Sequence, residues 1–137
     1  MNGIQVVEAI KAKFATTNGV ADISLLKGGT FTAELTGDGI RVDNLGNQPI
    51  LPWIVFQEAV CVLIRMNGRA PRGDAMKARL GDQNLSLDSV EGHIAQVVYG
   101  KKVGETVFRR ISPITGILIW VGICDAAPNE LILKQRE

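Results

Sequence analysis

Acid–base or nucleophilic chemistry in this chain of 137 residues would have to start from His93, its one histidine, with Ser86, Asp88 and Ser89 close by in sequence. A hydrolytic triad needs a nucleophile, a base and an orienting group that converge in space. Inside one helix those side chains fan out by about 100° per residue, so they do not converge. His93 is therefore expected as a surface or partly buried side chain. A metal site wants several ligands at short spacing. One histidine and the two distant cysteines, Cys61 and Cys124, lack that spacing. Asp74, Asp82, Asp88 and Glu91 are loosely grouped, but they read as caps and loop residues rather than as the clustered carboxylates of a two-metal centre. Gly100 to Thr106 (GKKVGET) lacks the GK[ST] ending of a phosphate loop and follows no predicted strand. Arg72-Gly73-Asp74 matches an adhesion tripeptide by chance. No catalytic residue, no metal ligand and no cofactor is predicted.

Charge is more informative by region than in total. The formal net charge is only +1. Residues 65–110 nevertheless hold nine cationic side chains (Arg65, Arg69, Arg72, Lys77, Arg79, Lys101, Lys102, Arg109, Arg110) against five acids. Residues 1–64 hold four cations and six acids, and residues 111–137 hold two and three. A basic middle of this kind is the footprint an anionic partner needs.

Within it, Ile94-Ala95-Gln96-Val97-Val98-Tyr99-Gly100 followed by Thr106-Val107-Phe108-Arg109-Arg110-Ile111 resembles the helix-turn-helix unit of DNA-binding proteins. In that family Ile-Ala lies in the first helix, glycine marks the turn, and a Thr-Val-aromatic-Arg-Arg stretch opens the recognition helix. The resemblance covers residues 94–111 only. The Ala95-to-Thr106 spacing is longer than usual, and Pro113 cuts the second helix short. It implies that Thr106, Arg109 and Arg110 face a groove and that Lys101 and Lys102 meet phosphates. Arg69 and Arg72 would extend the same basic face.

The elements that must carry these residues follow from periodicity. Asn2 and Gln5 form a capping box ahead of Ile4, Val7, Ile10 and Phe14, which predicts a helix over 3–16 ended by Thr17-Asn18-Gly19. Residues 30–36 and 39–43 alternate around Gly37-Asp38-Gly39, which predicts a hairpin. Asn44 to Leu51 reads as a loop. Pro52 opens a helix over 53–67 that is apolar on most faces. Residues 68–85 are the least regular stretch, with a short helix at 74–80. Asp88 and Glu91 form a second capping box for a helix with Leu87, Val90, Ile94, Val97 and Val98 on one stripe, stopped by Gly100. Thr106 to Ile111 favours a strand by propensity. Ser112-Pro113 starts a buried helix over 114–124, and Leu131 to Lys134 forms a last strand, paired with 106–111 or with the hairpin. The fold class is α+β, a single domain over 1–137, with four to five helices on a small, mostly antiparallel sheet of three to four short strands.

Neither apolar stretch, 49–64 or 111–124, reaches the roughly 20 residues of a membrane span. The N-terminal segment lacks the pattern of a secretion signal. Both cysteines read as buried hydrophobes of a reducing compartment, and a cytoplasmic location is expected. Two helices with few polar positions are hard to hide in one small domain, and exposed apolar area marks interfaces. The leading expectation is thus a non-enzymatic module that regulates by contact with a protein partner or by self-association, through Trp53, Phe56, Val60, Leu63 and Trp120. The first alternative is a nucleic-acid-binding regulator using the basic face. The second is a small enzyme, which a polar pocket near His93, Tyr99 and Glu91 would favour.

Overall fold

The computed structural model describes residues 1–134 and contains four α-helices and two antiparallel sheets. Helix α1 (Gly3–Ala15) begins at the capping box: Gln5 N–H donates to Asn2 Oδ1 at 2.9 Å, and Asn2 N–H donates to Gln5 Oε1 at 2.8 Å. Its buried stripe is Val6, Ile10 and Phe14; of the expected set Ile4, Val7, Ile10 and Phe14, Val7 is half-buried and Ile4 is exposed, because Ile4 lies about 120° round the helix from Ile10. Strands β1 (Val20–Ser24), β2 (Thr30–Leu35), β3 (Gly39–Val42) and β4 (Ile50–Pro52) follow as an antiparallel meander in sequence order. The alternation of β2 and β3 turns Phe31, Ala33, Ile40 and Val42 inward, as a half-buried sheet requires.

Helix α2 (Trp53–Arg65) is the central element. It packs against α1, α3, α4, β4 and both β5 and β7, which is why it is apolar nearly all round. Strand β5 (Arg69–Pro71) joins β6 (Cys124–Ala127) and β7 (Glu130–Leu133) in a second sheet, with β7 in the middle. Helix α3 (Val90–Val97) and helix α4 (Ile111–Val121) complete the molecule, α4 stopping at Gly122 in the left-handed conformation. One contiguous core runs through both sheets and all four helices, and a smaller one of Leu80, Leu85 and Ala95 anchors the long irregular segment between β5 and α3.

The helices and the 30–43 hairpin stand where periodicity places them, and several expectations are corrected. There are two sheets rather than one. Strands β1, β4, β5 and β6 were not foreseen, β4 falling in the expected 44–51 loop. Residues 74–80 form turns, and the nearest helical piece is a 3-10 turn at Gln83–Leu85. Thr106–Arg110 is neither strand nor helix, because no strand lies alongside it to share a ladder. β7 pairs instead with β5 and β6. Ser89, not Asp88, caps α3, accepting from Gly92 N–H at 3.0 Å, while Asp88 turns outward to Arg65. Cys124 is buried but Cys61 is exposed, since α2 turns that position away from the core. No described helix is long and apolar enough to cross a membrane.

Candidate functional site

Two polar clusters flank helix α3. The first surrounds His93. Its Nε2 lies 2.8 Å from Glu58 Oε1, and its Nδ1 lies 3.5 Å from Arg65 Nη2. A guanidinium only donates, so Nδ1 carries the lone pair and Nε2 the proton given to Glu58. Arg65 in turn pairs with Asp88 at 2.7 Å. Glu58 and Cys61 share a face of α2 because they are three residues apart, and with His93 they bring three metal-competent ligand atoms within 4.8 Å of one another. A metal here would have to displace the Nε2 proton, and the other ring nitrogen already faces a cation. The cluster reads as a hydrogen-bonded tie between α2 and α3. The other thiol, Cys124, is pushed up to about 12 by burial and is inert at neutral pH.

The second cluster surrounds Glu91, two residues earlier in α3 and on the opposite face. Glu91 is 2 % exposed, and its Oε2 accepts from the Arg110 backbone N–H at 3.0 Å. Burial pushes its carboxyl up to about 7, against the opposing pull of that N–H and of the Arg109 and Arg110 charges, with Asp74 adding to the rise. Arg110 is itself buried. Its guanidinium stacks 3.7 Å from the Tyr99 ring centre and 4.7 Å from that of Phe108, and it donates to Gln48 Oε1 at 2.6 Å.

Beside this cluster opens a recess of about 590 Å³, within the range of small-ligand sites, roughly 300–1,000 Å³. Its walls come from four separate parts of the chain: the β1–β2 turn with Lys27, the 71–84 segment with Arg72, Asp74 and Lys77, the start of α4 with Arg109 and Thr115, and Asn129 between β6 and β7. Gly73 lies in the wall with φ +88, and a side chain there would press on Ser89 and Glu91. The buried side-chain atoms without a hydrogen-bond partner, among the described residues, are Glu91 Oε1, Arg109 Nε and Thr115 Oγ1. Arg109 and Thr115 line the recess, and Glu91 stands directly behind Gly73. Buried polar groups are ordinarily bonded to protein or to ordered water, and these three atoms bond to no other described group of the chain.

Of the nine cationic residues of the basic middle, Arg72, Lys77 and Arg109 line this recess. Arg72 also donates to Ala127 O and Glu130 O, at 2.8 and 2.6 Å, and so holds the second sheet together. Arg69 is paired with Glu130 at 2.6 Å, and Arg110 is built into the interior. Lys101, Lys102 and Thr106 lie on the connection between α3 and α4, outside the recess wall. The helix after that connection, α4, is buried over Pro113–Leu118. Of the apolar residues, Phe56, Val60 and Leu63 are core residues at 0–2 % exposure, and only Trp53 and Trp120 are partly exposed. Trp120 packs edge-on against Phe14 with ring centres 4.8 Å apart. Lys27 and Thr115 were not anticipated from the sequence, and Lys77 entered only through the regional charge. A signal for Thr115 was present: it is a lone polar side chain inside the apolar run 113–121, with no cap or turn to account for it. Comparison with protein-family models, curated proteins and solved structures finds no match to this chain.

Proposed function

We propose that this chain is a nucleic-acid-binding module whose contact surface is the basic recess at the start of α4. The observation that supports the reading is the convergence of Lys27, Arg72, Lys77 and Arg109, with Asp74 as the one acid, on a cavity whose own buried donors lack partners. Desolvated donors beside several cations hold phosphate oxygens strongly. The reading rests on this recess and not on the helix-turn-helix resemblance. A protein-contact role drew its support from apolar helix faces, and Phe56, Val60 and Leu63 on those faces are covered within the chain itself.

The test is binding to short single-stranded and duplex DNA and RNA at low and at moderate salt. Two variants accompany the wild type: Lys27→Ala/Lys77→Ala/Arg109→Ala in the recess, and Lys101→Ala/Lys102→Ala outside it. Wild-type binding is expected to weaken with salt as counterions compete. The recess variant is expected to lose about tenfold or more in affinity, as the removal of several phosphate contacts does, while the second variant keeps most of it. Absence of binding at low salt, or equal losses in both variants, overturns the reading.

A further inference from the structure

Helix α4 is eleven residues long and enters the recess with its N-terminus bare. No side chain caps it, and no acid stands in its first turn. Pro113 has no N–H, and the N–H groups of Ile111 and Ser112 have no acceptor among the described residues. Both residues line the recess. Unsatisfied N–H groups and the positive end of the helix dipole make such a terminus a seat for an anion. One turn further along, Thr115 lines the same recess at 1 % exposure with its hydroxyl unpartnered. A helical threonine ordinarily satisfies its hydroxyl on the preceding turn, and this one does not. Arg109 adds a guanidinium Nε that also lacks a partner.

We propose that this recess seats a single phosphomonoester group, the terminal phosphate of a nucleic-acid strand, on the N-terminus of α4 with Thr115 and Arg109 as its side-chain donors. The inference rests on the nucleic-acid reading and narrows it to one chemical group. Charge and access both favour a terminal phosphate over an internal one. First, a phosphomonoester carries about −1.5 to −2 at neutral pH, whereas an internal diester carries a single negative charge. The four cations of the wall face one acid, Asp74, whose Oδ1 is already engaged by the Met76 N–H at 3.1 Å. Second, Thr115 is buried behind the first turn of α4. A group that reaches it enters with its one substituent trailing outward, whereas an internal phosphate must lead two sugars away in different directions.

The experiment uses one short DNA strand prepared with a 5′-phosphate, with a 3′-phosphate, or with hydroxyls at both ends, together with inorganic phosphate alone. Strand affinities are measured by competition, and the effect of inorganic phosphate by thermal melting. Wild type is compared with Thr115→Val, which keeps the side-chain shape, and with Arg109→Gln, which removes the guanidinium whose Nε lacks a partner. One phosphorylated strand is expected to bind about tenfold tighter than the hydroxyl-ended strand, the scale of one or two charge-assisted hydrogen bonds. Either variant erases that preference, and inorganic phosphate raises the wild-type melting temperature but not that of the variants. Equal affinity for all three strands overturns the terminal-phosphate seat and leaves the nucleic-acid reading standing. Failure to bind any strand, with phosphate still stabilising in a Thr115-dependent way, sustains the phosphomonoester seat and removes nucleic acid as its source. Absence of both effects overturns both.

Discussion

Glu91 and His93 stand two residues apart in α3 and point in opposite directions, and the two neighbourhoods solve the same problem differently. Around His93, both ring nitrogens have partners, and Glu58, Arg65 and Asp88 complete a chain across α2 and α3. Around Glu91, three buried polar atoms have none, and a cavity rich in cations opens beside them. Both contain a titratable side chain on the same short helix. The paired cluster holds two helices together, whereas the unpaired one leaves donors and acceptors available at the edge of a space. The number of partners, and not the residue type, is what distinguishes the two neighbourhoods.

The comparison breaks outright if α3 cannot sit where it does. Gly92 lies between the two residues, and a Cβ there would fall 2.0 Å from the Ser86 carbonyl oxygen. Backbone does not yield as a side-chain tip would. Gly92→Ala is expected to lose roughly 3–4 kcal/mol, at or above the upper end for overpacking, and to weaken both clusters. A chemical-denaturation midpoint near that of wild type would show that α3 is not held this tightly.

The pH dependence of Glu91 sharpens it next. Burial raises the folded-state value to about 7 from 4.5. The unfolded chain therefore releases this proton first as pH rises, and stability falls between pH 4.5 and 7 and then levels. The loss is on the order of 3 kcal/mol at most. Glu91→Gln should flatten that segment of the stability–pH curve. Identical curves for wild type and variant would mean that the carboxylate is solvated.

Glu58→Ala leaves the His93 Nε2 proton without an acceptor in a largely buried site, and about 2 kcal/mol of stability should be lost. Nucleic-acid affinity should not change. A matching drop in affinity would join the two clusters functionally and undo the contrast. The smallest effect runs the other way. Thr115→Val removes a buried hydroxyl that bonds nothing, and the protein should be unchanged or more stable by up to about 1 kcal/mol. A clear loss on thermal melting would mean that Thr115 serves the fold.

Sequence periodicity carried the parts of this molecule whose logic is local. The Asn2–Gln5 box and the 30–43 alternation each declare themselves within a few residues, whereas the expected set Ile4, Val7, Ile10 and Phe14 meets the buried stripe of α1 only at Ile10 and Phe14. Strands β4 and β5 are three residues long and exist because β3 and β7 lie beside them, which no local pattern announces. Thr106–Arg110 misled by propensity. Val107 and Phe108 suit a strand, but the Arg110 N–H is taken by Glu91 rather than by a ladder. The site shows the same division. Regional charge pointed to Arg72, Lys77 and Arg109, whereas Lys27 reaches the recess only because α4 packs on β1. At Gly116 that approach is close enough that a Cβ would stand 3.2 Å from the Ser24 carbonyl oxygen of β1 and 2.8 Å from the Phe31 ring of β2.

The recess is walled by segments from four distant parts of the chain, and that gives it a second meaning. None of those walls forms it alone, so it comes into being only when the longest loops of the chain have closed, the slow and entropically costly part of folding. Whatever binds there binds the finished fold and nothing earlier. At a hundred times its dissociation constant such a ligand adds about 2.7 kcal/mol to the native state. Resistance to proteolysis should then rise with ligand concentration across the whole chain, β1 and β7 alike, and not only beside the opening.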